Sequence, residues 1–124
     1  MATLDLDNNQ SQYQIRAFKP GTIRVNDKVI TSSIIITPNE LIEDWQPRTI
    51  QELNADSLHS VITLKPDILL IGTGSTLIFP SIEIYGHLIN MGIGVEIMDT
   101  SAACRTFNAL SAENRNVAAA LIIS

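Results

Sequence analysis

Two short polar segments hold the residues best suited to chemistry. The first is Gly72-Thr73-Gly74-Ser75, followed by Thr76. Backbone N–H groups in a glycine-rich turn can converge on an anion, and Thr73, Ser75 and Thr76 add hydroxyls. The same glycines serve equally well in a tight turn leaving a buried strand, where glycine tolerates positive φ. The segment is not a Walker A motif, because no lysine follows the glycines. Nor is it a dinucleotide fingerprint: Leu77 stands where the third glycine belongs, and Phe79-Pro80 interrupt the entry to a helix. The second segment runs from Asp99 to Asn108. Ser101, Arg105 and Asn108 recur at helical spacing. Arg105 can grip an anion, with Asn108 supplying amide contacts. Asp99 closes a predicted parallel strand, at the end where α/β sheets bind ligands. In the competing reading Asp99 only caps a helix, and Arg105 packs or pairs at the surface. If both segments share one sheet edge, they form a small polar crevice that suits a small anionic ligand.

Other reactive residues are sparse. Cys104 is the only cysteine, so neither an intrachain disulfide nor a CxxC pair can form. A helix N-terminus and Arg105 would lower its pKa, yet Ala103 and Phe107 place it on an apolar stripe, where a lone thiol is a small core residue. His59 and His87 are isolated, with no metal-ligand spacing. Nothing pairs Cys104 with His87. No metal or cofactor is expected. Asp5, Asp7, Glu40, Glu43 and Asp44 fit a solvated face. Trp45 and Tyr85 suit either a core or a partner anchor.

The elements that must position these residues follow from patterning. The chain has 124 residues, one ordinary domain, with a net charge of −5 and no basic run. That balance argues against nucleic-acid binding. No apolar run reaches the ~20 residues of a membrane helix, and the acidic, polar start is unlike a signal peptide. A cytoplasmic location is expected. Residues 1–12 read as a flexible tail, and 13–124 as one domain. Tyr13 to Phe18 alternates, with Tyr13, Ile15 and Ala17 on one side. Pro20-Gly21 and Asn26-Asp27 mark turns between Thr22–Val25 and Lys28–Ile30. Ser32–Thr37 is a further strand, and 38–48 a connection or short edge strand. An antiparallel meander results.

Thr49 to Glu52 has capping-box spacing ahead of a helical region that ends near Leu64 and breaks near Asn54. Asp67–Ile71 is a short buried strand. Ser81–Met91 is a helix with Ile84, Leu88 and Met91 on its apolar face, and Gly92 suits its C-terminus. Ile93–Met98 is a strand. A helix capped by Asp99, Thr100 or Ser101 follows, breaking at 114–116 before a last strand, Val117–Ile123. Alternating helices and strands with right-handed crossovers imply a parallel sheet flanked by helices. The fold class is therefore α/β.

Three segments together, PDILLIGTG (66–74), IGVEIMDTSAACRTFNAL (93–110) and RNVAAALI (115–122), resemble the Mth938-domain family, a family of unknown function. The resemblance covers about residues 13–123. It implies a layered fold in which an antiparallel meander joins a parallel or mixed sheet. It marks Gly72, Gly74, Pro80, Asp99, Thr100, Arg105, Thr106 and Asn108. Eukaryotic members include a mitochondrial assembly factor for respiratory complex I and a cytoplasmic protein tied to adipocyte differentiation. Neither role implies a known reaction, and the acidic, polar start leads to the expectation of no mitochondrial presequence.

Three readings follow. The leading one is a non-catalytic binding or assembly accessory factor that holds a protein partner through an apolar patch near Trp45 or an open strand edge. Such an edge also permits a homo-oligomer. The rival is an enzyme or small-molecule binder using Gly72–Ser75, Asp99, Thr100, Arg105, Thr106 and Asn108. It lacks a general base beside a nucleophile. The third is a structural domain whose polar motif only fixes loop and helix geometry.

Overall fold

The computed structural model describes residues 11–124. The expected tail lies outside the described residues over 1–10. Its last two positions are anchored, with the Gln12 N–H donating to the Pro38 carbonyl at 2.7 Å. The meander begins with β1 (Ile15–Lys19), β2 (Thr22–Val25) and β3 (Lys28–Ile30), which form a three-stranded antiparallel sheet in that order. Gly21 takes φ +95° after Pro20 and Asn26 takes φ +52°, as the predicted turns require. β1 departs from simple alternation. Ile15 pairs with Val25 and Ala17 with Arg24, leaving Arg16 as a bulge. Ile15 is therefore buried while Ala17 is exposed, although strict alternation puts them on one face.

β4 (Ser33–Ile36) and β5 (Leu41–Trp45) continue the antiparallel style. The capping-box spacing at Thr49 does not cap: Glu52 Oε1 instead accepts from the Arg48 N–H at 2.8 Å. The capping box forms at Asn54 and Ser57, opening a short 3-10 turn that leads into α1 (His59–Leu64). β6 (Ile68–Gly72), α2 (Ile82–Asn90), β7 (Gly94–Met98), α3 (Thr100–Ala112) and β8 (Val117–Leu121) complete the chain. β4 to β8 form a mixed sheet of order β5-β4-β8-β6-β7. β6 runs parallel to both β7 and β8, and β4 antiparallel to β8 and β5.

Both faces of this sheet are covered, which explains the unbroken apolar runs of its central strands. On one side, Ile34, Ile36, Leu70, Ala119 and Leu121 pack with Phe107 of α3 and with the three-stranded sheet. On the other, Ile35, Leu69, Ile71, Ala118 and Ala120 pack against α1, α2 and Trp45. Alternate residues of β8 thus serve two cores, and its alanines let the layers approach. α2 ends in a Schellman motif: Gly92 at φ +89° donates to Ile89 and Ile93 donates to Leu88. Met91, expected on the buried face, is exposed because it lies at the C-cap, beyond the last turn.

Candidate functional site

The glycine turn and the start of α3 meet at the C-terminal ends of β6 and β7. The Thr73 N–H donates to the Met98 carbonyl at 2.9 Å, continuing the strand ladder by one residue. The Gly74 N–H donates to Thr100 Oγ1 at 2.8 Å, and the Thr100 hydroxyl donates in turn to the Ile122 carbonyl at 2.8 Å. The Thr100 N–H returns a bond to the Gly74 carbonyl at 2.9 Å, while the Ser75 N–H donates to the main-chain oxygen of Ser124 at 2.8 Å. Thr73 Oγ1 donates to the Thr76 carbonyl at 2.6 Å and accepts from the Ile78 N–H at 3.2 Å. The three N–H groups of Thr73, Gly74 and Ser75 are therefore all engaged within the protein, and Gly72, Thr73, Gly74 and Thr100 are buried.

Sterics account for both glycines. A Cβ on Gly72 would lie 2.9 Å from Thr100 Oγ1 and 3.0 Å from Thr100 Cα. Gly74 adopts φ +101°, and a Cβ there would lie 2.8 Å from the Ser124 oxygen. Asp99 is the N-cap of α3, its Oδ1 accepting from the Ala102 N–H at 2.8 Å.

The rest of the predicted set lies farther along α3. Arg105 is exposed and donates to Ser101 Oγ at 3.0 Å, as the spacing of four residues predicts. Asn108 turns the other way. Its Oδ1 accepts from the Ile15 N–H at 3.0 Å, and its Nδ2 donates to the Ile15 carbonyl at 2.7 Å, so a side-chain amide holds β1 against the helix. Thr106 is half-buried. Ser101 and Arg105 face a cleft of about 190 Å³ between α3 and β1, shared with Arg16 and Phe18. The expected residues thus fall into two groups: a bonded junction at Gly72–Ser75, Asp99 and Thr100, and an open cleft at Arg105.

Cys104 is buried, 7% exposed, in the core that contains Phe107. Burial pushes its thiol up to about 12, outweighing the opposing pull of Arg105, and the Asp99 carboxylate pushes the same way as burial. The thiol is protonated at neutral pH. Trp45 is a core residue whose Nε1–H donates to the Ser57 carbonyl at 2.8 Å, so its ring is not an exposed anchor for a partner. Among the described residues, no group of three His, Cys, Asp or Glu side chains could hold a metal.

Two features escaped the pattern reading. Leu77, Ile78 and Phe79 on the loop joining β6 to α2, and Ile82 at the start of α2, are exposed, Phe79 at 69%. Three consecutive apolar residues in a predicted loop were the available signal. The second is a cleft of about 510 Å³ at the opposite end, between Thr37–Glu40 and Asn114–Asn116. Buried Ser111 Oγ beside it has no hydrogen-bond partner. Its parts are far apart in sequence, so no local pattern marks it.

Fold and site define a small layered α/β domain in which a polar motif joins strand, helix and C-terminal segment. The chain belongs to the family described as protein of unknown function (DUF498/DUF598), whose model matches residues 15–122. The solution structure of a Mth938-like domain from Bordetella pertussis superposes with a TM-score of 0.82 at 27% identity, covering 98% of this chain and 92% of that one. In Drosophila melanogaster, NADH dehydrogenase (ubiquinone) 1 alpha subcomplex assembly factor 3 is 40% identical over 101 residues, 78% of this chain and 51% of the fly protein. The chain therefore spans about half the length of that relative. A 13 kDa major membrane protein of Francisella tularensis is 29% identical over 124 residues, 98% of this chain and all of that one. Among the described residues of this chain, no helix is long and apolar enough to cross a membrane.

Proposed function

We propose that this chain is a non-catalytic accessory protein that holds a protein partner during assembly of a larger complex. The observation that carries this reading is the exposed apolar run Leu77, Ile78 and Phe79 on the β6–α2 loop, with Ile82 at the start of α2. Exposed apolar side chains that neighbour one another mark interaction surfaces, and an aromatic such as Phe79 is a good anchor. The internal bonding of the glycine turn supports it, because those N–H groups already have partners. The buried, protonated Cys104 offers no nucleophile. The name of the fly relative points the same way. The working location is the cytoplasm, with neither nucleic acid nor membrane insertion involved.

Quantitative cross-linking in host extract tests the proposal, with wild type and Phe79→Asp compared. Wild type should enrich a reproducible protein partner, and Phe79→Asp should lose it while melting at an unchanged temperature. Equal capture by both proteins would overturn the role of the loop. No partner with either would overturn the accessory reading.

A further inference from the structure

The chain carries a net charge of −5, yet its cations are unevenly placed. Arg16, Lys19, Arg24 and Arg105, half of the eight Lys and Arg residues, line two clefts that share Ala17 and Phe18. The larger, about 470 Å³, runs over the outer part of the three-stranded sheet between Phe18 and Val29. The smaller lies between β1 and α3. No described Asp or Glu lines either one. The only ion pairs among the described residues are Lys28–Glu43 and Arg115–Glu113, so none of these four cations has a carboxylate partner there. Arg105 donates to the Ser101 hydroxyl, and Arg24 Nε–H donates to the Asn26 carbonyl at 3.3 Å. Arg16 is the unpaired residue of the β1 bulge, opposite the Val25–Arg24 step, and its side chain lines the smaller cleft.

We infer that these two adjoining clefts together bind an acidic, partly apolar segment of a protein partner, with Arg16 and Arg105 gripping carboxylates at one end and Lys19 and Arg24 at the other. The inference rests on the accessory reading above and adds a second contact surface, apart from the exposed Leu77, Ile78, Phe79 and Ile82, and the chemistry of the partner segment that it takes. Charge complementarity selects the occupant. At physiological salt, charges beyond roughly 8 Å are screened, so a short acidic segment senses the local cations. A nucleic acid or an anionic bilayer is extended and also meets the rest of a chain whose net charge is −5. Val29, 62% exposed, and half-buried Phe18 offer apolar contact that a free phosphate cannot use. Guanidinium groups bind carboxylates in bidentate fashion, which fits Asp or Glu side chains, while the apolar contacts distinguish a peptide from a free phosphate.

The test is fluorescence anisotropy with a short labelled peptide alternating Glu and Leu, titrated with the full chain. The same peptide with Lys for Glu, a single-stranded oligonucleotide and phosphatidylglycerol vesicles are run in parallel. The Glu peptide should bind, weaken with salt, and lose roughly tenfold or more in affinity with Arg16→Glu/Arg105→Glu. The neutral pair Arg16→Gln/Arg105→Gln should fall between, and Arg115→Glu at the far end should bind as wild type does. Thermal melts check that the variants fold. No binding of the Glu peptide, equal binding of the Lys peptide, or tighter binding of oligonucleotide or vesicles would overturn the inference. So would concentration-dependent dimerisation that the same charge reversals abolish, since a second copy would then occupy the groove. In host extract, a partner retained by Arg16→Glu/Arg105→Glu would refute this surface and leave the accessory reading standing. Absence of any partner for wild type, with peptide binding intact, would refute only the accessory reading.

Discussion

Thr100→Val isolates the chemistry of the junction between the glycine turn and α3. Valine nearly matches threonine in shape, so the substitution removes one hydroxyl and leaves packing in place. That hydroxyl accepts from the Gly74 N–H and donates to the Ile122 carbonyl, each at 2.8 Å, in a buried site. Both main-chain groups would lose their Thr100 partner. An unsatisfied buried polar group costs about 1–3 kcal/mol. The valine recovers part of this by not desolvating a hydroxyl, so the net loss should be about 2–4 kcal/mol. For a chain of this size each kcal/mol lowers Tm by roughly 4 °C, giving a fall of roughly 8–16 °C. Urea unfolding followed by circular dichroism is the assay, with the m-value unchanged because the same surface is exposed. Thr100→Ser keeps the hydroxyl and should cost less than about 1.5 kcal/mol. If Thr100→Val lies within about 0.5 kcal/mol of wild type, the typical range of a surface change, the hydroxyl does not join the turn to the C-terminal segment as argued.

Asn108→Ala should detach β1 from α3, destabilising the protein by about 1–3 kcal/mol through the two lost bonds to Ile15. Hydrogen exchange should show the Ile15 amide opening faster than those of β6, and equal protection would argue against the clamp. Cys104 should resist a thiol reagent at pH 8 until denaturant unfolds the chain. Its folded pKa lies near 12 against an ordinary value of 9.0, so its contribution to stability is complete below pH 9 and is lost as pH rises toward 12. The slope is at most about 1.4 kcal/mol per pH unit. Cys104→Ala should flatten that part of the profile, and an identical slope in both proteins would show the thiol is not responsible.

The parts of the fold governed by neighbouring residues are legible in the sequence itself. Gly21, Asn26 and Gly92 stand where positive φ is needed, and each takes it. The β-branched ends of Val117–Ile123 outweighed three alanines of high helix propensity, because a strand buried on both faces needs small or branched residues. The misreadings arose where distant groups compete. The bulge at Arg16 depends on pairing with β2, which alternation in one strand cannot reveal. Glu52 had the spacing to cap its own turn, but the Arg48 N–H took its carboxylate. Asn108 shares α3 with Arg105, yet its partner is Ile15, 93 residues earlier.

The same logic explains why a conventional place for ligand binding leads here toward surface recognition. α/β sheets bind ligands beyond the carboxyl ends of parallel strands, and Gly72–Ser75 with Asp99 lie at that position. In this fold the space is taken by the chain itself. Ile122 bonds both Gly72 and Thr100, and the Ser124 oxygen receives the Ser75 N–H and sits where a side chain on Gly74 would point. A ligand drawn to the turn N–H groups must break the bonds they already make, to Met98 from Thr73, to Thr100 from Gly74 and to Ser124 from Ser75. Arg105 and Arg16 need no such breakage, being exposed and without carboxylate partners among the described residues. An incoming acidic group therefore meets the groove at a lower cost than the turn. If Gly74→Ala, which would press on Ser124, weakens peptide binding as much as Arg105→Glu does in a protein that still folds, recognition would have to pass through the turn, and this ordering of the two sites would be wrong.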